Sequence, residues 1–430
     1  MEQLRSFTSP FDISRCKECG ECLHQCPVLQ MTPDEAISER KKLNSGSVSA
    51  KIMKRCTTCF ACNLVCPQGC NPAQQIIDLW HNAYRSKGLP LRARYFDPNH
   101  STNFRTYVVD RLPYDERAMI EKWKDTSECA EILYPGCNII TAPYLTQTSL
   151  LEGLEIRGSL DVCCGETYYR MGLIDEMYKV AERLERYFKK LGVRKMIIPC
   201  TAGRNMFTNV LPSFGVKFDF EVVHILPWLW ERMEKGEIVI KEKLNMTVTV
   251  QESCYGKIFG NEYMDIPRKI LNRIGVQVIE EKLSRSHALC CGIAGGFSIK
   301  SGYHPVDIAH ETFRSLGLAK QTGADAIAVY CAGCLQMLTV GQILYPFNRM
   351  PVYHILELLQ MAIGEKPARL NKKRAQTLFA GVLKNQAPLL FTSPVGDIPP
   401  APVYTSCQHS SCQIHPCRPA HFDHNIPEHV

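Results

Sequence analysis

The 430 residues contain no uninterrupted apolar stretch approaching the roughly eighteen residues that a membrane span requires. The opening residues, M-E-Q-L-R-S-F-T-S-P-F-D, hold no apolar h-region of the kind that directs secretion. No flavin, nicotinamide or haem motif is visible. The glycines of C-C-G-I-A-G-G-F follow cysteines and lack the G-x-G-x-x-G spacing that cradles a dinucleotide. A basic stripe interleaved with aromatics is also missing, so nucleic acid is not an expected partner. The net charge of +7 is spread along the chain, with clusters such as Lys189-Lys190 and Lys372-Lys373-Arg374 expected on solvated faces. An acidic partner surface or a membrane subunit suits such charge better, since electrostatics mainly raises encounter rates. These absences predict a soluble, cytoplasmic chain with no transmembrane segment of its own, peripheral to the inner face of a membrane only through partners.

Cysteine, by contrast, is abundant, with 22 in the chain. In a small secreted protein that number would indicate a disulfide scaffold, but this chain is long enough for two or three domains with ordinary cores. In a reducing compartment the thiols stay free for metal. Eight of them form two runs of C-x2-C-x2-C-x3-C-P: Cys16, Cys19, Cys22, Cys26 with Pro27, and Cys56, Cys59, Cys62, Cys66 with Pro67. This is the bacterial ferredoxin spacing for [4Fe-4S] cubanes, in which three thiolates of a short loop wrap one corner and the fourth comes from the other run. The resemblance assigns Cys16, Cys19, Cys22 and Cys66 to one cubane, and Cys56, Cys59, Cys62 and Cys26 to the second. Zinc ribbons use paired C-x2-C instead, without the capping proline.

Thr32 before Pro33, Asp34 and Glu35 is a helix start, so helices are expected between the runs, and Ala73 to Ser86 carries the apolar face of another. Cys70 reads as a surplus thiol. A linker with prolines Pro90, Pro98 and Pro113 follows.

The rest of the chain repeats itself. Cys254, Cys290-Cys291-Gly292 and Cys331-Ala332-Gly333-Cys334 are echoed earlier by Cys137, Cys163-Cys164-Gly165 and Cys200, where Gly203 replaces the last cysteine. Met196-Ile197-Ile198 and Ala326 to Tyr330 are short apolar strands that each run into a cysteine. Asp175 to Leu191 presents Met177, Val180, Ala181, Leu184, Phe188 and Leu191 on one helical face, stopped by Gly192. Helices preceding strands in both halves predict parallel α/β units, with the cysteines at carboxyl ends of strands, where open sheets hold ligands.

The pattern C-x35-C-C-G-x38-C-x2-C, with Gly292, Gly295 and Gly296, resembles the cysteine-rich CCG domain of heterodisulfide reductases. A ferredoxin module followed by two such domains is similar to the D subunit of the membrane-associated enzyme. It is also similar to the iron-sulfur subunits of anaerobic glycerol-3-phosphate dehydrogenase and lactate-utilisation systems, and to the K subunit of the sulfite-reduction-associated membrane complex. The resemblance spans about Cys16 to Glu357. It implies a noncubane [4Fe-4S] cluster on Cys254, Cys290, Cys291, Cys331 and Cys334. The first repeat, with Cys137, Cys163, Cys164 and Cys200, is degenerate; a four-thiolate cluster, zinc or no metal all fit it. The three glycines are expected to let the backbone pass close to the cluster. Glu166, Glu252, Tyr255 and His287 are candidate proton donors, and no catalytic residue is assigned.

The expected organisation is a helical two-cluster ferredoxin domain at 1–100, a linker at 101–130, a degenerate CCG domain at 131–243, a complete one at 244–365, and a Pro-rich tail at 366–430. The tail, read as extended, carries Cys407, His409, Cys412, His415 and Cys417, whose spacing suits zinc or a further cluster; a flexible tail used for docking is the competing reading. The expected function is that of an iron-sulfur subunit in an anaerobic oxidoreductase complex, reducing a small thiol-disulfide substrate with electrons passed through two cubanes to the noncubane cluster. The alternative is a non-catalytic electron-transfer subunit linking a flavoprotein dehydrogenase to a quinone-reactive membrane cytochrome subunit or to ferredoxin.

Overall fold

The computed structural model describes residues 9–391 other than 48, 99 and 346. The cysteines and histidines of 407–417 lie outside the described residues.

The N-terminal region is helical. Thr32 accepts a hydrogen bond from the Glu35 N–H and caps the helix Pro33–Asn44, and Ser49 caps Ala50–Arg55 through the Ile52 N–H. A longer helix, Pro72–Lys87, buries Ile76, Ile77, Leu79, Trp80 and Ala83, the apolar face legible in the sequence. These elements hold the two cysteine runs as loops of matching conformation. Glu18 and Thr58, each two residues after the first cysteine of its run, have φ of 54° and 47°; Gly20 and Phe60, two further on, have 75° and 63°. Left-handed residues alternating in this way turn successive backbone N–H groups to one side and make an anion-binding concavity. Three of the four positions are not glycine, so the strain is held by the surrounding structure.

Two four-stranded parallel sheets follow. In the first, β1 (Glu131–Leu133), β2 (Glu155–Ile156), β3 (Lys195–Ile198) and β4 (Glu221–His224) lie in the order β2-β1-β3-β4. In the second, β5 (Met246–Gln251), β6 (Val276–Val278), β7 (Ala326–Val329) and β8 (Val352–His354) lie in the order β6-β5-β7-β8. The two orders are identical once the strands are renumbered, so the cysteine repeat is also a topological one. The amphipathic helix Ile174–Leu191 buries Met177, Val180, Leu184 and Phe188 in the core of the first sheet and ends at Gly192, with φ of 61°. One core cluster joins Leu133, Ile197 and Leu226 of the first half to Val248, Val250 and Ala328 of the second.

The linker and the start of the tail both contain helix. Tyr114–Trp123 lies between the prolines and β1, and Asn371–Asn385 lies where an extended tail is expected. Burial explains the second difference: Asn371, Arg374, Ala375 and Gly381 are covered by other elements, which a pattern of basic residues does not reveal. Among the described residues, no helix is long and apolar enough to cross a membrane.

Candidate functional site

In each sheet the strand order reverses between the two central strands, and the crevice outside their carboxyl ends is where open α/β sheets bind ligands. The cysteines sit there. Cys137 follows β1, Cys200 follows β3, Cys254 follows β5 and Cys331 follows β7. The two crevices face each other: Thr201 and Ser253 share a hydrogen bond, and Gln336 Nε2 donates to Thr141 Oγ1 at 2.7 Å. As a result all nine repeat cysteines, Cys137, Cys163, Cys164, Cys200, Cys254, Cys290, Cys291, Cys331 and Cys334, line one cavity of about 390 Å³.

The sulfurs touch across this cavity. Cys254 and Cys291 hydrogen-bond to Cys290 and hold its pKa well below the ordinary thiol value; Cys200 and Cys334 do the same for Cys331. Cys200, from the first repeat, therefore belongs to the immediate surroundings of the second. Gly203 occupies the place of the missing fifth cysteine, where a Cβ would lie 2.5 Å from Ile198 Cδ1, so an apolar side chain already fills the space that its side chain would need.

Two buried arginines, not singled out from the sequence, face the sulfurs. Arg170 donates to Cys254 Sγ at 3.3 Å, Glu166 Oε1 at 3.1 Å, Thr58 Oγ1 at 3.3 Å and the Thr57 carbonyl at 2.6 Å. It thus bridges the second ferredoxin-type loop to the second repeat. Arg105 donates to Thr167 Oγ1 at 2.9 Å and to the Phe96 carbonyl at 3.2 Å. Burial disfavours its charge, but Cys137 and Cys163 outweigh that and raise its pKa. The available signal for Arg170 was its position four residues after Glu166 in C-C-G-E-T-Y-Y-R, one helical turn on.

Of the candidate proton donors, Glu166 and Tyr255 line the cavity, and the Tyr255 hydroxyl donates to Glu166 Oε1 at 3.1 Å. Glu252 and His287 do not line it. Glu252 is paired with Arg268 at 2.7 Å, and His287 is exposed beside Ser286. The glycines of C-C-G-I-A-G-G-F also meet a close neighbour within the protein. A Cβ at Gly292 would lie 2.6 Å from the Thr312 backbone N, and one at Gly295 would lie 2.8 Å from the Asp307 carbonyl. They let the loop pack against the helix Pro305–Gln321.

The ferredoxin-type cysteines form two further groups. Cys16, Cys19, Cys22 and Cys66 line one small cavity together with Arg40 and Cys70; Cys26, Cys56, Cys59 and Cys62 line another, which Cys22 also borders. Burial pushes the Cys22 thiol up to about 11 and Cys26 to about 12, so these sulfurs ionise only against compensating positive charge. Backbone N–H groups point at sulfur, from Thr58 to Cys56 and from Cys70 to Cys66, each at 3.4 Å. Such N–H···S bonds offset thiolate charge in iron-sulfur sites, and the donor set of soft sulfurs around a small void fits a cluster. Among the described residues, no three His, Cys, Asp or Glu side chains are grouped as a single-ion site.

Comparison with known proteins decides the class. Residues 12–70 match a 4Fe-4S dicluster domain, and residues 248–339 match a cysteine-rich domain. The chain is 26% identical over 409 residues to the D subunit of the dihydromethanophenazine:CoB–CoM heterodisulfide reductase of Methanosarcina barkeri, covering 82% of this chain and 94% of the relative. This is an iron-sulfur oxidoreductase subunit related to the D subunit of heterodisulfide reductase. The iron-sulfur subunit is also 28% identical over 378 residues to the B subunit of the fumarate reductase (CoM/CoB) of Methanothermobacter marburgensis, covering 81% of this chain and 72% of the relative. It is 27% identical over 349 residues to the EtfAB:quinone oxidoreductase of Syntrophomonas wolfei, covering 66% of this chain and 48% of that longer protein.

Proposed function

We propose that the iron-sulfur subunit reduces a disulfide in the cavity shared by its two cysteine repeats, with electrons delivered by partner subunits of a redox complex. The observation that carries this reading is the single cavity lined by all nine repeat cysteines. Cys16, Cys19, Cys22 and Cys66 would hold one cubane and Cys56, Cys59, Cys62 and Cys26 the other; Cys254, Cys290, Cys291, Cys331 and Cys334 would hold the noncubane cluster. These groups supply one-electron transfer. In the reaction the S–S bond breaks, and each sulfur gains one electron and one proton. Glu166, hydrogen-bonded by Tyr255 and Arg170 at the cavity wall, is placed to pass a proton to a leaving thiolate.

EPR of anaerobically purified protein, oxidised stepwise with and without a small thiol and accompanied by iron and zinc analysis, tests this. A paramagnetic species that appears only on oxidation with thiol is expected. Reducible cubane signals indifferent to thiol would overturn the reading in favour of an electron-transfer subunit serving a quinone-reactive partner. Gly203, which leaves the first repeat one thiolate short, favours that second reading.

Arg170→Met is expected to lower the reduction potential of the iron held with Cys254. The lost charge-assisted hydrogen bond, worth roughly 1.5 kcal/mol, corresponds to about 60 mV for a one-electron couple. An EPR-monitored redox titration that shows no downward shift would exclude this tuning role.

A further inference from the structure

Five thiols, not four, line the first ferredoxin-type cavity, because Cys70 joins Cys16, Cys19, Cys22 and Cys66 there. A tight turn brings it back onto the ligand run. Gly69, with φ of 59°, donates its N–H to the Cys66 carbonyl at 3.0 Å, and the Cys70 N–H then reaches Cys66 Sγ at 3.4 Å. On the far side, the Asp12 N–H donates to the Cys70 carbonyl at 3.0 Å, and Asn71, with φ of 55°, turns the chain into the helix Pro72–Lys87. The N–H and the carbonyl of Cys70 are therefore both tied. The residue is 1% exposed, and its thiol lies in hydrogen-bond contact with that of Cys66. The other run has no counterpart: four residues after Cys26 stands Gln30, an exposed residue with no thiol.

The same cavity is built for negative charge. Arg40, 2% exposed, lines it. Its Nη2 donates to Asn44 Oδ1 at 2.7 Å and to Gln75, while Nε and Nη1 are buried with no oxygen or nitrogen partner among the described residues. A guanidinium so buried is costly unless an anion faces it. Asn44 Nδ2 in turn donates to Cys16 Sγ at 3.4 Å, which also offsets charge on sulfur. Of the eight ferredoxin-type cysteines, Cys19 alone is exposed, so this is the site where solvent reaches a ligand sulfur. Attack on a thiolate follows its exposure, and a ligand is lost most readily there.

We infer that Cys70 is a reserve ligand for the iron held at this site, exchanging with Cys66. In the exchange the Fe–S bond to Cys66 breaks and one to Cys70 forms. The Cys70 proton passes to the freed Cys66 thiolate, so no electron is gained or lost. A cubane takes one thiolate per iron, which leaves a fifth thiol in its cavity outside the resting ligand set and free to take over a vacated iron. The inference rests on the assignment of Cys16, Cys19, Cys22 and Cys66 to one cubane.

Iron and sulfide analysis, with EPR of the anaerobically purified full chain after dithionite reduction, tests it in a set of variants. Cys70→Ala should keep the parent's iron. Cys66→Ala should keep it too, with a shifted signal from the first site, because Cys70 supplies the missing thiolate. Cys66→Ala combined with Cys70→Ala should lose up to about four irons. Cys26→Ala, in the site with no fifth thiol, should lose as much. Cys66→Ser, alone and with Cys70→Ala, repeats the comparison if the alanine variants fold poorly. An equal loss from Cys66→Ala and from the double variant would overturn the reserve role and leave the cubane assignment standing. Full iron in the double variant, or a loss from Cys70→Ala as large as that of the double variant, would overturn the assignment itself and the reserve role with it.

Discussion

Cys290→Ser is expected to remove the iron held at the ends of β5 and β7, leaving about eight irons in the two ferredoxin-type sites. Cys290 lies at the centre of the second repeat, hydrogen-bonded by both Cys254 and Cys291, so its loss breaks the set at the middle. Serine is a harder ligand that ionises far less readily than a thiol, and it is a poor substitute in a site of soft sulfurs. Iron analysis and EPR on the anaerobically purified variant read the result. Loss of all iron would show that the sites are not separate. Cys200→Ser gives the scale: from a repeat one thiolate short, it should cost less iron. Loss equal to that of Cys290→Ser would mean that the contact of Cys200 with Cys331 is ligation shared between the repeats, and that the first repeat is not degenerate.

The second large effect is on stability. Arg374→Ala should destabilise the protein by about 3–5 kcal/mol, the cost of leaving a carboxylate buried without its partner. Both side chains are almost fully inaccessible, at 2% for Arg374 and 3% for Glu116, and they join the helix Asn371–Asn385 to Tyr114–Trp123. Thermal unfolding of the variant under anaerobic conditions, followed by circular dichroism, gives the loss. The paired replacement Arg374→Met with Glu116→Leu should recover most of it, because well-packed apolar groups can stand in for a buried ion pair. A single variant within about 1 kcal/mol of the parent would mean that the pair contributes no more than an exposed one does.

Local features were legible because they are written within a few residues. The helix Ile174–Leu191 was legible from its apolar face and Gly192, and β3 and β7 from short apolar runs that end at cysteines. The helix Asn371–Asn385 was not, because its buried side includes Asn371, Arg374 and Gly381, residues that a periodicity of apolar side chains passes over. Gly292 and Gly295 were legible as special positions, but their close approach to Thr312 and Asp307 was not, since those residues come from a helix further along the chain.

The sequence by itself determined the chemistry of the donors and their spacing: eight cysteines in two ferredoxin-type runs, nine in two repeats, and strands that deliver them to sheet ends. Ligand loops are short, so their geometry is encoded in consecutive residues. Only the tertiary structure decided that the two repeats share one cavity and that Arg170 ties a ferredoxin-type loop to Cys254. Those facts depend on how the sheets and helices pack. Packing is settled by burial across residues more than a hundred positions apart, as between Thr57 and Arg170 or Glu116 and Arg374.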